Sequence, residues 1–217
     1  MKYLSPALLL ALAIGVTASG ATNEPKANLD ELLHAISTLT ADVTQLIVES
    51  DGGVLEESEI RMALKKPDGF FWETLSPFPE LIVTNGVQLW NYQPDLEQVV
   101  IEPWDTSRSE LAAQLLNGQT EHLAEEYTIT QSETTDTDSR EFRLVPLAAD
   151  SVYEEITISF LNQSLDMIYL NNKNGERTVW QFSDLQQNQP LEDSLFEFVP
   201  PAGIEIISNT YADAGRQ

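Results

Sequence analysis

The side chains with which this chain could do chemistry are two histidines, 35 aspartates and glutamates, and a handful of clustered aromatics; it has no cysteine. A zinc site needs several His, Cys or carboxylate ligands at recurring spacings, and neither His34 nor His122 has such a partner. His34 lies beside an apolar stripe and reads as a helix-surface residue. No thiol nucleophile exists, and no Gly-x-Ser-x-Gly elbow presents a serine. Carboxylate pairs of the glycosidase kind arise by chance among so many acidic residues, so they carry no information. Asp136-Thr137-Asp138 reads as a solvated loop, and Asn174-Gly175 as a turn rather than a phosphate cradle. A hydrolase would need a nucleophile or metal that the sequence does not display. The expectation is a protein that is not an enzyme and has no cofactor and no metal. What does concentrate is apolar: Phe70, Phe71, Trp72, Trp90 and Tyr92 fall on three successive predicted strands, preceded by Met62 and Leu64. Such a set makes either an ordinary core or a surface for a hydrophobic ligand.

The elements that must position these residues are mostly strands. Leu29, Leu32, Leu33, Ile36 and Leu39 recur at helical spacing, and Asn28 with Glu31 predicts the capped start of one amphipathic helix. After Thr40 the pattern alternates. Ile60, Met62 and Leu64 interleave with Glu59, Arg61 and Ala63, the period-two signal of a sheet with two unlike faces. Turn residues punctuate the runs at Asp51-Gly52-Gly53, Lys66-Pro67-Asp68-Gly69, Ser76-Pro77-Phe78-Pro79 and Gln93-Pro94-Asp95. Asn85-Gly86 and Asn174-Gly175 predict two-residue hairpins, so neighbouring strands are mostly antiparallel. Later strands are predicted near Tyr127–Gln131, Arg140–Val145, Val152–Phe160, Leu165–Leu170, Thr178–Asp184 and Ile204–Ile207. A second helix is expected from the capping box Ser107-Arg108-Ser109-Glu110 to Asn117-Gly118, and Ser132–Ser139 reads as a hairpin tip. A long antiparallel sheet must curl and cover one face. A curved sheet with helices over its concave side follows, packed or hollow.

The N-terminus has Lys2, an apolar run from Ala7 to Val16, and small residues from Thr17 to Ala21, the three-part pattern of a secretory signal peptide. The run is shorter than the roughly 20 residues a spanning helix needs. Residues 1–21 are therefore read as a removable leader and 22–217 as one domain. Without a cysteine the chain has no lipoprotein processing site and is expected to be soluble in the periplasm. A net charge of −24 disfavours nucleic acid and anionic headgroups. It suits solubility, or steering toward a basic docking surface.

Lys66-Pro67, Phe70, Trp72 and Pro77, followed by Leu81-Ile82-Val83-Thr84-Asn85-Gly86 and Leu89-Trp90-Asn91-Tyr92, resemble the core motif of the LolA family of outer-membrane lipoprotein carriers. Phe196-Glu197-Phe198-Val199-Pro200-Pro201-Ala202-Gly203-Ile204 resembles the family's C-terminal segment. The resemblance spans about Leu29 to Ile206. It implies an incomplete, half antiparallel β-barrel of about eleven strands with a helical lid over an apolar cavity. It also implies monomeric carriage of acylated lipoproteins from an inner-membrane releasing ABC transporter to the outer-membrane receptor LolB. LolB is itself lipid-anchored, so the missing cysteine points to the carrier. Lipid-binding residues are then expected at Met62, Leu64, Phe70, Trp72, Leu81, Val83, Leu89 and Trp90. Phe70 and Trp72 match positions lining the cavity mouth. Lys66 stands where the family commonly has an arginine linked to lid closure and transfer, keeping the charge but not the planar fork. The competing reading is a related half-barrel lipid or glycolipid binder, or an envelope-stress sensor.

Overall fold

The computed structural model describes residues 24–104, 123–132 and 138–209. Helix α1 spans Glu24–His34. It starts ahead of the expected cap because Pro25 suits a first turn, where its missing N–H has no intrahelical partner. Asn28 does not cap it; Asn28 Nδ2 donates to Gln131 Oε1 at 2.8 Å instead. Ile36 and Leu39, expected on the helical stripe, lie beyond its end yet remain buried. Leu39 also begins the alternation Leu39, Ala41, Val43, and strand pairing takes precedence there.

The strands are β1 Thr38–Val48, β2 Val54–Lys65, β3 Gly69–Ser76, β4 Glu80–Asn85, β5 Gln88–Gln93, β6 Gln98–Pro103, β7 Tyr127–Gln131, β8 Ser139–Pro146, β9 Tyr153–Leu161, β10 Ser164–Asn172, β11 Arg177–Gln187 and β12 Glu205–Ser208. A one-turn helix α2, Leu123–Glu126, precedes β7. Among the described residues, twelve strands form one sheet in the order β12-β6-β5-β4-β3-β2-β1-β11-β10-β9-β8-β7. Neighbours are antiparallel except β12, which lies parallel to β6. Among the described residues the sheet is open, with β12 and β7 as its edges. The helix expected between Ser107 and Asn117, His122, and Asp136-Thr137 lie outside the described residues.

The two expected hairpins differ in detail. Between β4 and β5, Gly86 at φ +85 and Val87 form the bend, and Asn85 Oδ1 accepts from Val87 N and Gln88 N at 3.0 and 3.1 Å. Asn85 thus sets the turn with its side chain. Between β10 and β11 lie four residues, Lys173 to Glu176, and because Asn172 N bonds Glu176 O at 2.8 Å the bend itself is the three residues Lys173 to Gly175, with Gly175 at φ +88. One extra residue before the left-handed glycine is a common alternative to the two-residue turn.

The sheet's curvature follows from one pair of side chains. Trp72 on β3 and Trp180 on β11 are separated by β2 and β1, three strand spacings or roughly 14 Å in a flat sheet. Their rings meet edge to face at 5.6 Å. The face that carries them, and on which α1 lies, is therefore concave; it is called inner below.

Two hydrophobic layers result. The inner one joins Leu29, Leu32 and Leu33 of α1 to residues from β1, β2, β3 and β7 through β11. The outer one is smaller, with Val83, Trp90 and Val99 at its centre. It is covered by the chain after β11, which includes a 3-10 turn, Asp193–Phe196, before ending in β12. Phe198 packs on Tyr92 with ring centroids 5.1 Å apart, and Ile204 joins the same cluster. The aromatic and apolar positions of the C-terminal motif thus clasp the outside of the sheet.

Candidate functional site: the inner face

Register decides which expected residues share a surface. Met62 pairs with Trp72 and Leu64 with Phe70, and successive side chains on a strand alternate in direction. Met62, Leu64, Phe70 and Trp72 accordingly stand together on the inner face, where Phe70 and Trp72 stack at 6.1 Å. Phe70 pairs with Thr84, and Thr84 with Leu89, so Leu89 continues this row and stays half-buried at its margin. Phe71 pairs with Val83 and Val83 with Trp90, which puts Val83 and Trp90 on the opposite side with Leu81. Five of the eight expected residues therefore form one surface, and Leu81, Val83 and Trp90 lie under the C-terminal strap. Ile82 takes the inner position on β4.

The inner face extends well beyond these five. Ile156, Ile158 and Phe160 on β9, Phe142 and Leu144 on β8, and Trp180 and Phe182 on β11 complete it. Their alternation was visible in the sequence, in the runs Ile156 to Phe160 and Trp180 to Phe182. Phe142 and Phe160 meet edge to face at 6.0 Å. The described side chains thus close on one another beneath α1.

Lys66 sits at the end of β2, where its Nζ donates to Leu33 O in the last turn of α1 at 2.5 Å. Its own N–H bonds Ser37 O at 2.9 Å. A cation at a helix C-terminus meets carbonyls that lack intrahelical donors and the negative end of the helix dipole. Burial holds the Lys66 ammonium below its ordinary range. No sequence signal pointed to Leu33 as partner, because the contact joins a backbone carbonyl to a side chain distant in sequence. Asn188, left-handed at φ 59, fastens the same corner: its Oδ1 accepts from Ser37 N at 2.8 Å and its Nδ2 donates to Ala35 O at 3.0 Å.

Toward the other end of the strands the inner face turns polar. Trp180 Nε1 donates to Gln45 Oε1 at 2.7 Å, and the buried Ser58 hydroxyl donates to Glu56 Oε1 at 2.9 Å. Beside them opens a pocket of about 450 Å³ lined by Val152, Tyr153, Leu170 and Thr178, with Asn172, Lys173 and Asn174 at its lip. Tyr127 packs nearby, its phenol pushed up by burial and by Glu126 and Tyr153, so it stays protonated at neutral pH. Among the described residues, no three His, Cys or carboxylate side chains gather as a metal site. No helix among them is long and apolar enough to cross a membrane. What the arrangement offers is a continuous apolar inner face, packed beneath α1 at one end and bordered by a pocket with polar side chains at the other.

Comparison with known proteins places this geometry. Residues 34–199 match the family model of the outer membrane lipoprotein carrier protein LolA. The outer-membrane lipoprotein carrier protein of Hahella chejuensis is 33% identical over 207 residues, covering 95% of this chain and 97% of that protein. Its counterpart in Chromohalobacter salexigens is 32% identical over 196 residues, covering 90% and 92%. A solved LolA superfamily protein from Nitrosomonas europaea aligns with 81% of this chain and 96% of that one at 15% identity and a TM-score of 0.44. The match to the family model covers most of the chain, and the chain belongs to the LolA family of outer-membrane lipoprotein carriers.

Proposed function

We propose that this chain is a periplasmic carrier that shelters the acyl chains of lipoproteins on their way from the inner to the outer membrane, without catalysing a reaction. The observation that carries this reading is the continuous apolar inner face, closed by a helix that Lys66 and Asn28 hold through single side-chain hydrogen bonds. An acyl chain in water is opposed by about 0.8 kcal/mol per methylene, on the order of 10 kcal/mol for a long chain. Only a dry apolar surface of this extent offsets that. Met62, Leu64, Phe70, Trp72 and Leu89 are the lipid-contacting residues in this reading, α1 is part of the lid, and Lys66 is its latch. Residues 1–21 serve as the export leader. Loading comes from a releasing ABC transporter of the inner membrane, and delivery is to the receptor LolB.

The test is extraction. Protein purified from the periplasm without detergent should yield acylated protein or peptide into chloroform, identified by mass spectrometry. Recovery of free phospholipid or glycolipid alone would replace the lipoprotein cargo with a simpler lipid.

A further inference from the structure

The meander places five connections at one end of the sheet: β1–β2, β3–β4, β5–β6, β8–β9 and β10–β11. This is the end away from Lys66, where the polar lip and the pocket lie. In or beside these loops stand Val54, Leu55, Phe78, Leu96, Leu147 and Val152, each between 54% and 68% exposed. The opposite end offers only Val87 and Leu161 among the described residues. Single exposed apolar side chains are ordinary, but their gathering along one rim marks an interaction surface. The same loops carry Glu49, Asp51, Asp95, Glu97, Asp150 and Glu176 against one base, Lys173, whose Nζ donates to Ala149 O at 2.8 Å; beside them Arg177, exposed at the start of β11, is a second.

We propose that this five-loop rim docks a partner protein presenting cationic side chains around an apolar centre. The proposal rests on the carrier reading, since it assigns the surface by which a carrier meets the proteins that load or unload it. Charge decides the occupant. Carboxylates among apolar tips repel an anionic leaflet, and the net charge of −24 adds to that repulsion. Toward a basic protein surface the same carboxylates accelerate encounter, while the apolar tips set the lifetime of the complex. The position fits transfer, because a partner seated there faces the pocket at that end of the inner face.

The experiment compares the parent with Phe78→Ser/Leu96→Ser and Asp95→Lys/Asp150→Lys, all exposed positions outside the inner face. A fluorescent multiply acylated lipopeptide measures loading. Association and dissociation are followed with the releasing transporter in proteoliposomes and with soluble receptor, at low and high salt. Lipopeptide binding should be equal in all three. The lysine pair should slow association with at least one partner by about tenfold at low salt, and the difference should shrink at high salt. The serine pair should speed dissociation by about tenfold. Unchanged rates in both variants would overturn the docking surface while leaving the carrier reading intact. Flotation of the parent with protein-free phosphatidylethanolamine–phosphatidylglycerol vesicles, lost in the serine pair, would overturn it in favour of a membrane. A parent that binds no fluorescent multiply acylated lipopeptide would sink the carrier reading itself, and the docking proposal with it.

Discussion

Replacing Lys66 by leucine keeps the aliphatic stem and removes the donor that reaches Leu33 O at 2.5 Å. A hydrogen bond with one charged partner contributes about 1.5–3 kcal/mol. Leu33 O retains a second donor, Ile36 N at 3.2 Å, so no buried acceptor is orphaned and the lower figure, about 1.5 kcal/mol, applies. That is roughly tenfold in an equilibrium. Amide hydrogen exchange should show it as about tenfold faster opening of α1, with β1 and β11 unchanged. Lys66→Arg, which can still donate to the carbonyl, should restore much of the protection. Equal exchange of α1 in parent and leucine variant would refute the latch. The sign of the pH effect is also set. Burial lowers the folded-state pKa of Lys66 from 10.5, so just below that value the unfolded chain binds more protons. Stability contributed by Lys66 therefore rises with pH through the folded pKa toward 10.5. The melting temperature of the parent relative to Lys66→Leu should rise over that window, and a flat difference would contradict it.

Two further outcomes follow from register and backbone. A brominated acyl chain should quench Trp72 and Trp180 but not Trp90, so Trp90→Phe should leave the fractional quenching at least as large, and Trp72→Phe should reduce it; equal effects would mean that lipid reaches the outer cluster. Gly86→Ala places a methyl 2.6 Å from Asp68 Cβ at a φ of +85, which should destabilise the fold by about 1–3 kcal/mol in chemical denaturation. Adding Asp68→Gly should recover the steric part only.

Strands were legible wherever one face is buried and the other wet. β7 falls at Tyr127–Gln131 as its alternation predicts. The face assignment failed to be legible at β4, where Leu81-Ile82-Val83 is apolar throughout. There the strand is covered on both sides, by the inner face at Ile82 and by Phe198 and Ile204 over Leu81 and Val83. A doubly buried strand loses its period-two signature. Only pairing, Trp72 with Ile82 and Phe71 with Val83, separates the two sets. The end of α1 was hidden for a related reason, since Leu39 satisfies both the helical spacing from Ile36 and the strand spacing to Ala41.

Lys65 and Lys66 show how the two layers can move independently. Lys65 reaches outward to Leu191 O at 2.7 Å and to Asp193 on the strap, while Lys66 reaches the helix on the inner side. The strap is held chiefly by Phe196, Phe198 and Ile204, so α1 can leave without unfastening it. Lifting α1 exposes Leu29, Leu32 and Leu33, at about 1.5–3 kcal/mol each and so roughly 5–9 kcal/mol in all, an upper bound for a compact unfolded reference. The Lys66 contact adds about 1.5 kcal/mol. One long acyl chain recovers on the order of 10 kcal/mol on burial, which barely balances the sum; each additional chain is surplus. The inner face should therefore discriminate by chain number. A free single-chain fatty acid should bind weakly and leave α1 protected from exchange, whereas a multiply acylated lipopeptide should bind tightly and expose it. The lipopeptide's advantage should shrink in Leu32→Ala/Leu33→Ala, in which the helix has less apolar area to uncover. Equal affinity for one chain and for several in the parent protein would show that displacement of α1 is not the step that loading must overcome.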